Sequence, residues 1–160
     1  MILYRDQILL RLWRTDDAGW YVAARDEDVF QWTTERRDLT VLETEEAIQK
    51  VNDNDDIFTF AVADSTNNEL LGNIALVRDE TDSYTGEVMY WLAPQGRGRG
   101  VATTAVKLLV EWAFAELGFE RITLQTRRDN VRSQRVAERL GFQRSGTRGE
   151  SVWFVLTAPE

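Results

Sequence analysis

The chain has 160 residues, a formal net charge of −8, and neither Cys nor His. This length suits a single domain with one sizeable core, and a hydrophobic content of 43% excludes a disordered chain. The absence of Cys and His excludes disulfides, thiolate nucleophiles, and the commonest metal ligand and general base. We therefore expect no metal site. Any catalysis must rest on carboxylates, hydroxyls, backbone dipoles or water.

The charge is unevenly distributed along the chain. Pro94–Arg148 carries eleven Lys and Arg against five Asp and Glu, a balance of +6, which leaves −14 for the remaining residues. A basic stretch suits a polyphosphate ligand and an acidic remainder suits a cationic partner, although both also fit a solvated surface. Apolar runs are too short to cross a bilayer, and the N-terminal sequence has no basic region followed by an apolar core. We expect a cytoplasmic protein with no membrane partner.

Hydrophobic patterning predicts alternating helices and strands in the first half of the chain. In chain order these are a strand at Ile8–Trp13, a helix from the cap Thr15–Asp17 to about Arg25, a helix over Glu45–Asn52 capped by Thr44, and a hairpin of Ile57–Ala63 with Leu70–Val77. A short segment, Val29–Trp32, follows the first helix. The aromatic residues Trp20, Tyr21, Phe30 and Trp32 either line a ligand pocket or belong to the core.

The second half is organised around a glycine turn. A strand at Gly86–Leu92 ends before Pro94, and its alternation places Glu87, Met89 and Trp91 on one face. Gln95–Gly100 then contains three glycines at alternate positions and precedes an apolar helix over Val101–Leu117. Glycines allow close backbone approach, and a helix N-terminus offers N–H groups to phosphate oxygens. The turn therefore predicts a phosphate-bearing ligand.

The remaining elements complete a crossover and a closing hairpin. They are a helix end at Gly118, a strand at Arg121–Thr126, a helix at Val131–Leu140 ended by Gly141, and two strands, Phe142–Thr147 and Val152–Leu156. Strand, helix and strand in succession predict that the strands on either side of the long helix are parallel.

The glycine turn matches the motif Gln/Arg-x-x-Gly-x-Gly/Ala. Its neighbours strengthen the match: Tyr90–Pro94 before it, Trp112–Phe114 in the helix, then Asn130–Ser133 and Val136–Phe142. In these segments the chain resembles the GNAT superfamily of N-acetyltransferases, in its ribosomal-protein N-terminal acetyltransferase-like (Rim-type) branch. The resemblance implies a mixed α/β (α+β) fold as a single domain over residues 1–160. The expected sheet is mixed but mostly antiparallel, with about six to seven strands flanked by about four helices.

The resemblance also implies acetyl-coenzyme A as the cofactor and names the residues that would contact it. These are Trp91, Leu92, Ala93, Arg97, Gly98, Arg99, Gly100, Val101, Ala102, Asn130 and Ser133. The turn amides would take the pyrophosphate, and main chain around Trp91–Ala93 would pair with the pantetheine arm as an added strand.

Two residues are the candidate catalytic groups. The amine must lose a proton, and Glu87 is the candidate base because it precedes the thioester end of its strand and the resemblance implies a carboxylate there; a strand-surface or an ion-paired carboxylate is an equal alternative. Many relatives place a tyrosine where this chain has Ala137. We therefore expect Ser133 to supply the proton to the leaving thiolate, with helix capping as its alternative role.

The predicted function is transfer of an acetyl group from acetyl-coenzyme A to a primary amine, foremost a protein N-terminal amine. A small polyamine or an aminoglycoside-type amine is the next acceptor, and a non-catalytic acyl-coenzyme A sensor is an alternative of another class. Nucleic-acid binding by the arginines is disfavoured, because the protein is acidic as a whole and has no Arg-Gly repeat tract. Relatives are often dimers, so a homodimer remains open.

Overall fold

Eight strands form one continuous sheet in the computed structural model, which describes all 160 residues. The strands are β1 (Ile2–Arg5), β2 (Ile8–Leu12), β3 (Ile57–Asp64), β4 (Leu70–Arg78), β5 (Thr85–Leu92), β6 (Arg121–Arg127), β7 (Gln143–Arg148) and β8 (Ser151–Thr157). The helices are α1 (Ala18–Ala24), α2 (Glu27–Trp32), α3 (Val41–Val51), α4 (Val101–Glu116) and α5 (Val131–Arg139). The spatial order is β1-β2-β3-β4-β5-β6-β8-β7.

The predicted fold class is confirmed, with one more strand and one more helix than expected. Only β5 and β6, on either side of α4, run parallel, and all other neighbouring strands are antiparallel. A crossover helix is what lets two sequential strands lie parallel in one sheet. The crossover is therefore the feature that interrupts an otherwise antiparallel meander.

The main core lies between the sheet and the helices α4 and α5. Apolar residues from two adjacent stripes of α4 are buried there, including Val101, Ala105 and Leu109. A wide apolar stripe allows a helix to lie flat on a sheet. The opposite face carries a smaller cluster in which Trp13, Ala18 from α1 and Ile48 from α3 are buried. None of the helices combines the length and apolar character needed to cross a bilayer.

Two predictions about the first half were wrong. The edge strand β1 was missed because Ile2–Arg5 is short and its two-residue turn contains no glycine; Asp6 adopts the left-handed φ of 56° instead, which Asp tolerates better than most residues. Helix α3 begins at Val41 rather than Glu45. Its cap is Thr40, whose hydroxyl accepts from the Glu43 N–H while the Glu43 carboxylate accepts from the Thr40 N–H, the reciprocal pattern of a capping box.

Strands β5 and β6 diverge along their length, and this divergence positions the site. Their pairing runs from Thr85 with Arg121 to Val88 with Leu124 and then stops. Both strands continue, β5 to Leu92 and β6 to Arg127. The sheet therefore opens into a wedge, with the glycine turn at the end of β5 and the start of α5 beyond the end of β6.

Candidate active site

A cavity of about 620 Å³ occupies the wedge between β5 and β6. This volume is within the usual range for a small-molecule site. Its lining comes from α2 and the segment after it, the wedge strands, the glycine turn and the first turn of α5. The cavity is therefore bounded by both halves of the chain.

The glycine turn presents a run of free backbone N–H groups. No N–H from Gly98 to Thr103 donates to a protein acceptor, since α4 begins at Val101 and its N-cap Gly100 offers no side chain. Gly98 and Gly100 have φ of 74° and 73°, the left-handed region that costs little only for glycine. Unsatisfied donors at the positive end of a helix dipole suit an anionic oxygen.

The open edge of β5 is a second backbone surface in the cavity. Met89–Leu92 pairs with β4 on one side and has no strand partner on the other. An extended chain of amide groups can add to such an edge as a further strand. Ala93 differs, because its N–H donates to the Leu71 carbonyl at 2.8 Å.

The side chains of the two turn arginines are both engaged within the protein. Arg97 donates to the Asp26 carboxylate at 2.7 and 2.9 Å and to the Leu92 carbonyl at 2.9 Å. Its guanidinium holds the pKa of the Asp26 carboxyl below its usual range. Arg99 donates to the Gln95 carbonyl at 2.9 Å and to Asp64 at 3.2 Å. The turn therefore offers a ligand its amides, while its arginines hold its shape.

Glu87 lines the cavity and has no hydrogen-bond or salt-bridge partner. Burial raises the pKa of its carboxyl, and the nearby charge of Asp79 raises it further. The ion-paired alternative for Glu87 does not hold in this geometry. A partly desolvated carboxylate with a raised pKa is a suitable proton acceptor at neutral pH.

Two hydroxyl groups meet on the α5 side of the cavity. Tyr90 of β5 donates to Ser133 Oγ at 3.4 Å, and burial raises the pKa of the Tyr90 phenol, with Ser133 and Arg132 acting in the opposite direction. The cap of α5 is Asn130, whose Oδ1 accepts from the Ser133 N–H at 3.1 Å. The capping role, which was the alternative for Ser133, therefore falls to Asn130, and Ser133 lines the cavity.

An aromatic cluster lies beside the cavity on the face of the sheet opposite α4 and α5. Trp91 stacks on Trp20 at 6.2 Å and meets Tyr21 edge-on at 5.2 Å. Its indole N–H is buried outside hydrogen-bond geometry, although it is near enough to Tyr21 to oppose the rise in that phenol's pKa. Of the four aromatic residues predicted as pocket or core, only Trp32 lines the cavity. The others are packing residues.

A buried polar group supports the segment after α2. The Tyr21 hydroxyl donates to the Glu35 carboxylate at 3.0 Å, and Arg25 donates to the same carboxylate at 3.1 Å and to the Arg36 carbonyl at 2.7 Å. Burial, followed by the charge of Glu35, raises the pKa of Tyr21. These residues fix the wall of the cavity formed by Thr33, Thr34 and Glu35.

Most of the predicted site residues meet around this cavity. Its lining includes Glu87, Trp91, Leu92, Arg97, Gly98, Gly100, Val101, Ala102, Asn130 and Ser133, whereas Ala93 and Arg99 lie outside it. Tyr90 and Asn73 also line the cavity and were not predicted. Tyr90 begins the segment Tyr90–Pro94 that carries the family resemblance, so this segment could have indicated it as a site residue. Asn73, in a strand interior, gave none.

The sequence model of the acetyltransferase (GNAT) domain family matches residues 7–143 of this chain. The chain belongs to the GNAT acetyltransferase family. An N-acetyltransferase 9-like protein of Caenorhabditis briggsae is 32% identical over 130 residues, which cover 74% of this chain and 65% of that protein. Ribosomal-protein-serine acetyltransferase of Escherichia coli is 36% identical over 75 residues, covering 46% of this chain and 41% of that protein. This GNAT chain therefore spans less than two thirds of the length of either relative.

Among solved structures, spermidine N-acetyltransferase from Vibrio cholerae, in complex with coenzyme A and spermine, aligns with a TM-score of 0.84. The alignment covers 96% of this chain and 97% of that one at 19% identity. At this identity the likeness establishes the fold. Acetyl-coenzyme A is the co-substrate of the GNAT family, and the free turn amides and open β5 edge fit its pyrophosphate and its amide-bearing arm.

Proposed function

We propose that the protein transfers the acetyl group of acetyl-coenzyme A to a primary amine, foremost a protein N-terminal amine. The observation that carries the proposal is the unpartnered Glu87 carboxylate, which lines the same cavity as the open edge of β5. A proton acceptor, a backbone edge for the cofactor and the Ser133 hydroxyl therefore border one space. This combination serves acyl transfer better than it serves binding alone.

The chain's own backbone would hold the cofactor. Bound acetyl-coenzyme A would supply the thioester whose acetyl group is transferred. The free N–H groups of Gly98–Thr103 would bind its pyrophosphate, and Met89–Leu92 would pair with its pantetheine arm. Because these contacts use main-chain groups, the side chains of Glu87 and Ser133 remain free for proton transfer.

Glu87 accepts the proton that the amine must lose as its new N–C bond forms. A protein N-terminal amine has a pKa of about 8 and an alkylamine one of about 10, so each is largely protonated at neutral pH. A carboxylate whose pKa is raised by burial holds that proton better than an exposed one. The proton then passes from Glu87 to solvent through the cavity mouth.

Ser133 gives its hydroxyl proton to the sulfur as the C–S bond breaks and the electron pair moves to sulfur. The Tyr90 hydroxyl, 3.4 Å from Ser133 Oγ, donates to that oxygen and leaves the Ser133 proton free to face the cavity. Ser133 recovers a proton from solvent. Ala137, at the position where many relatives have a tyrosine, is fully buried and contributes no hydroxyl.

The test is an acceptor screen that follows release of the coenzyme A thiol across N-terminal peptides, polyamines and aminoglycosides. We expect turnover with peptides, and its loss in Glu87→Gln. If no amine is acetylated by the wild-type protein, the enzyme proposal fails. A melting temperature raised by acetyl-coenzyme A without turnover would instead support the sensor alternative.

A further inference from the structure

The side chain of Asn73 is buried beside the cavity and is fixed by a single partner. Its residual exposure is 8%, and Trp13 is 3% exposed. The Trp13 indole N–H donates to Asn73 Oδ1 at 2.9 Å. Both partners are therefore shielded from bulk solvent. A hydrogen bond in such surroundings is stronger than one exposed to water.

The identity of the partner determines which way the amide faces. An indole nitrogen can only donate, so Asn73 must turn its oxygen toward Trp13 and its NH₂ group away. Asn73 Nδ2 makes no hydrogen bond in the protein, yet the buried side-chain nitrogens without a partner are only Arg25 Nε and Trp91 Nε1. Because Asn73 lines the cavity, its NH₂ group keeps access to that space.

The position of Asn73 places these donors in the cavity on the same face of the sheet as Glu87, the candidate base. Asn73 of β4 pairs directly with Trp91 of β5, and directly paired residues share a face of the sheet with Cβ atoms about 5 Å apart. Glu87 lies on the same face, because it is four residues before Trp91 in the strand. The Asn73 donors and the candidate base therefore border the cavity from one face of the sheet, four residues or about 13 Å apart along the strands.

We propose that Asn73, oriented by Trp13, is a specificity-determining residue that donates to a carbonyl oxygen next to the acceptor's amine. This inference rests on the proposed function and narrows its acceptor to α-amino amides, the class that includes a peptide N-terminus. A protonated polyamine carries donors only. It would leave the Asn73 NH₂ group without an acceptor, and burying an unmatched donor disfavours that substrate.

The experiment compares alaninamide with sec-butylamine, which has the same branching at the amine-bearing carbon but no carbonyl. Asn73→Leu removes the donors, and we expect it to lower kcat/KM for alaninamide about tenfold while leaving sec-butylamine unchanged. The different pKa values of the two amines cancel when each variant is compared with wild type on the same amine. Equal losses on both amines, or no loss on either, would overturn the assignment.

Two further variants keep the test decisive if Asn73→Leu folds poorly. Asn73→Asp keeps an oxygen for the Trp13 N–H but offers the acceptor no donor, so it should lose alaninamide selectively. Trp13→Phe keeps an aromatic ring but frees the amide to rotate, so a smaller loss on alaninamide alone is expected. If Trp13→Phe lowers kcat/KM equally for both amines, the positioning role is contradicted.

A measurement that needs no turnover distinguishes failure of the Asn73 assignment from failure of the proposed function. If the wild-type protein acetylates no amine, the Asn73 side-chain amide signal is followed by ¹⁵N NMR in the presence of coenzyme A. It should shift on addition of alaninamide and stay in place with sec-butylamine. An unmoved signal with both amines overturns the role of Asn73, whatever the fate of the enzyme proposal.

Discussion

The cofactor side and the acceptor side of the cavity are built from different chemical groups. The cofactor side consists of main-chain groups from two runs of successive residues, Gly98–Thr103 and Met89–Leu92. The acceptor side consists of side chains from distant segments, as in the Trp13–Asn73 bond between residues 60 positions apart. A main-chain site depends on backbone shape and can be kept while side chains vary. The acceptor side can therefore change its substrate without disturbing the cofactor side.

The largest expected effect lies where the two sides meet. Glu87→Gln should lower kcat at pH 7 about 100-fold or more, because the candidate base is lost. Its folded-state pKa is raised, so the ionised form costs stability at a pH above that pKa, and removing the charge should leave the melting temperature unchanged or higher. Steady-state kinetics and calorimetry check both expectations. An active variant, or one that loses activity only because it unfolds, would contradict the assignment of Glu87.

The hydroxyl pair between the sides should give the next effect. Ser133→Ala is expected to lower kcat about tenfold or more by removing the proton donor, and Tyr90→Phe should lower it less. Because Tyr90 acts through Ser133, the double variant should be no slower than Ser133→Ala alone. Additive losses in this cycle would mean that the two hydroxyls act separately.

The main-chain character of the cofactor side is tested at its glycines. Gly98→Ala and Gly100→Ala meet no atom within 4 Å, so their cost is backbone strain of about 1–2 kcal/mol at positive φ. Relaxation of that strain should move the turn amides and weaken acetyl-coenzyme A binding about tenfold, as measured by titration calorimetry. Gly19→Ala, also in open space but within α1, is the matched control and should leave affinity unchanged. Unchanged affinity in all three would argue against the turn as the phosphate site.

The smallest expected effect concerns the pH dependence of the base. The Asp79 charge adds to burial in raising the Glu87 pKa, so Asp79→Asn should lower that pKa. The rise of kcat/KM with pH through this pKa should then occur at lower pH, with the same plateau. Asn at this position keeps an oxygen for the Thr81 hydroxyl and N–H that now donate to Asp79. A pH profile that does not move would mean that Glu87 does not set it.

The cofactor side was largely predictable from the sequence because its determinants are local. Glycines at alternate positions, a proline that ends a strand and an apolar helix lie within one continuous stretch, Gly86–Leu117. The parallel pairing of β5 with β6 followed from this stretch together with the strand predicted at Arg121–Thr126, and it was confirmed. What local pattern could not give was the engagement of Arg97 with Asp26, since these residues are 71 positions apart.

The acceptor side could not be predicted because no residue there has a local signal. Asn73 lies inside a strand, and only tertiary packing brings the Trp13 indole to it. The identity of the cap of α5 has a similar origin, since Asn130 and Ser133 are both suitable helix-start residues. Only the geometry shows that Asn130 caps the helix and that the Ser133 hydroxyl meets Tyr90.

Hydrogen–deuterium exchange with and without acetyl-coenzyme A tests most directly the claim that main-chain groups hold the cofactor. The free N–H groups of Gly98–Thr103 and the open edge Met89–Leu92 should exchange more slowly when the cofactor is bound. The distant hairpin Ile2–Leu12 should not change. Protection confined to other segments, with no change at the turn or the β5 edge, would contradict the account.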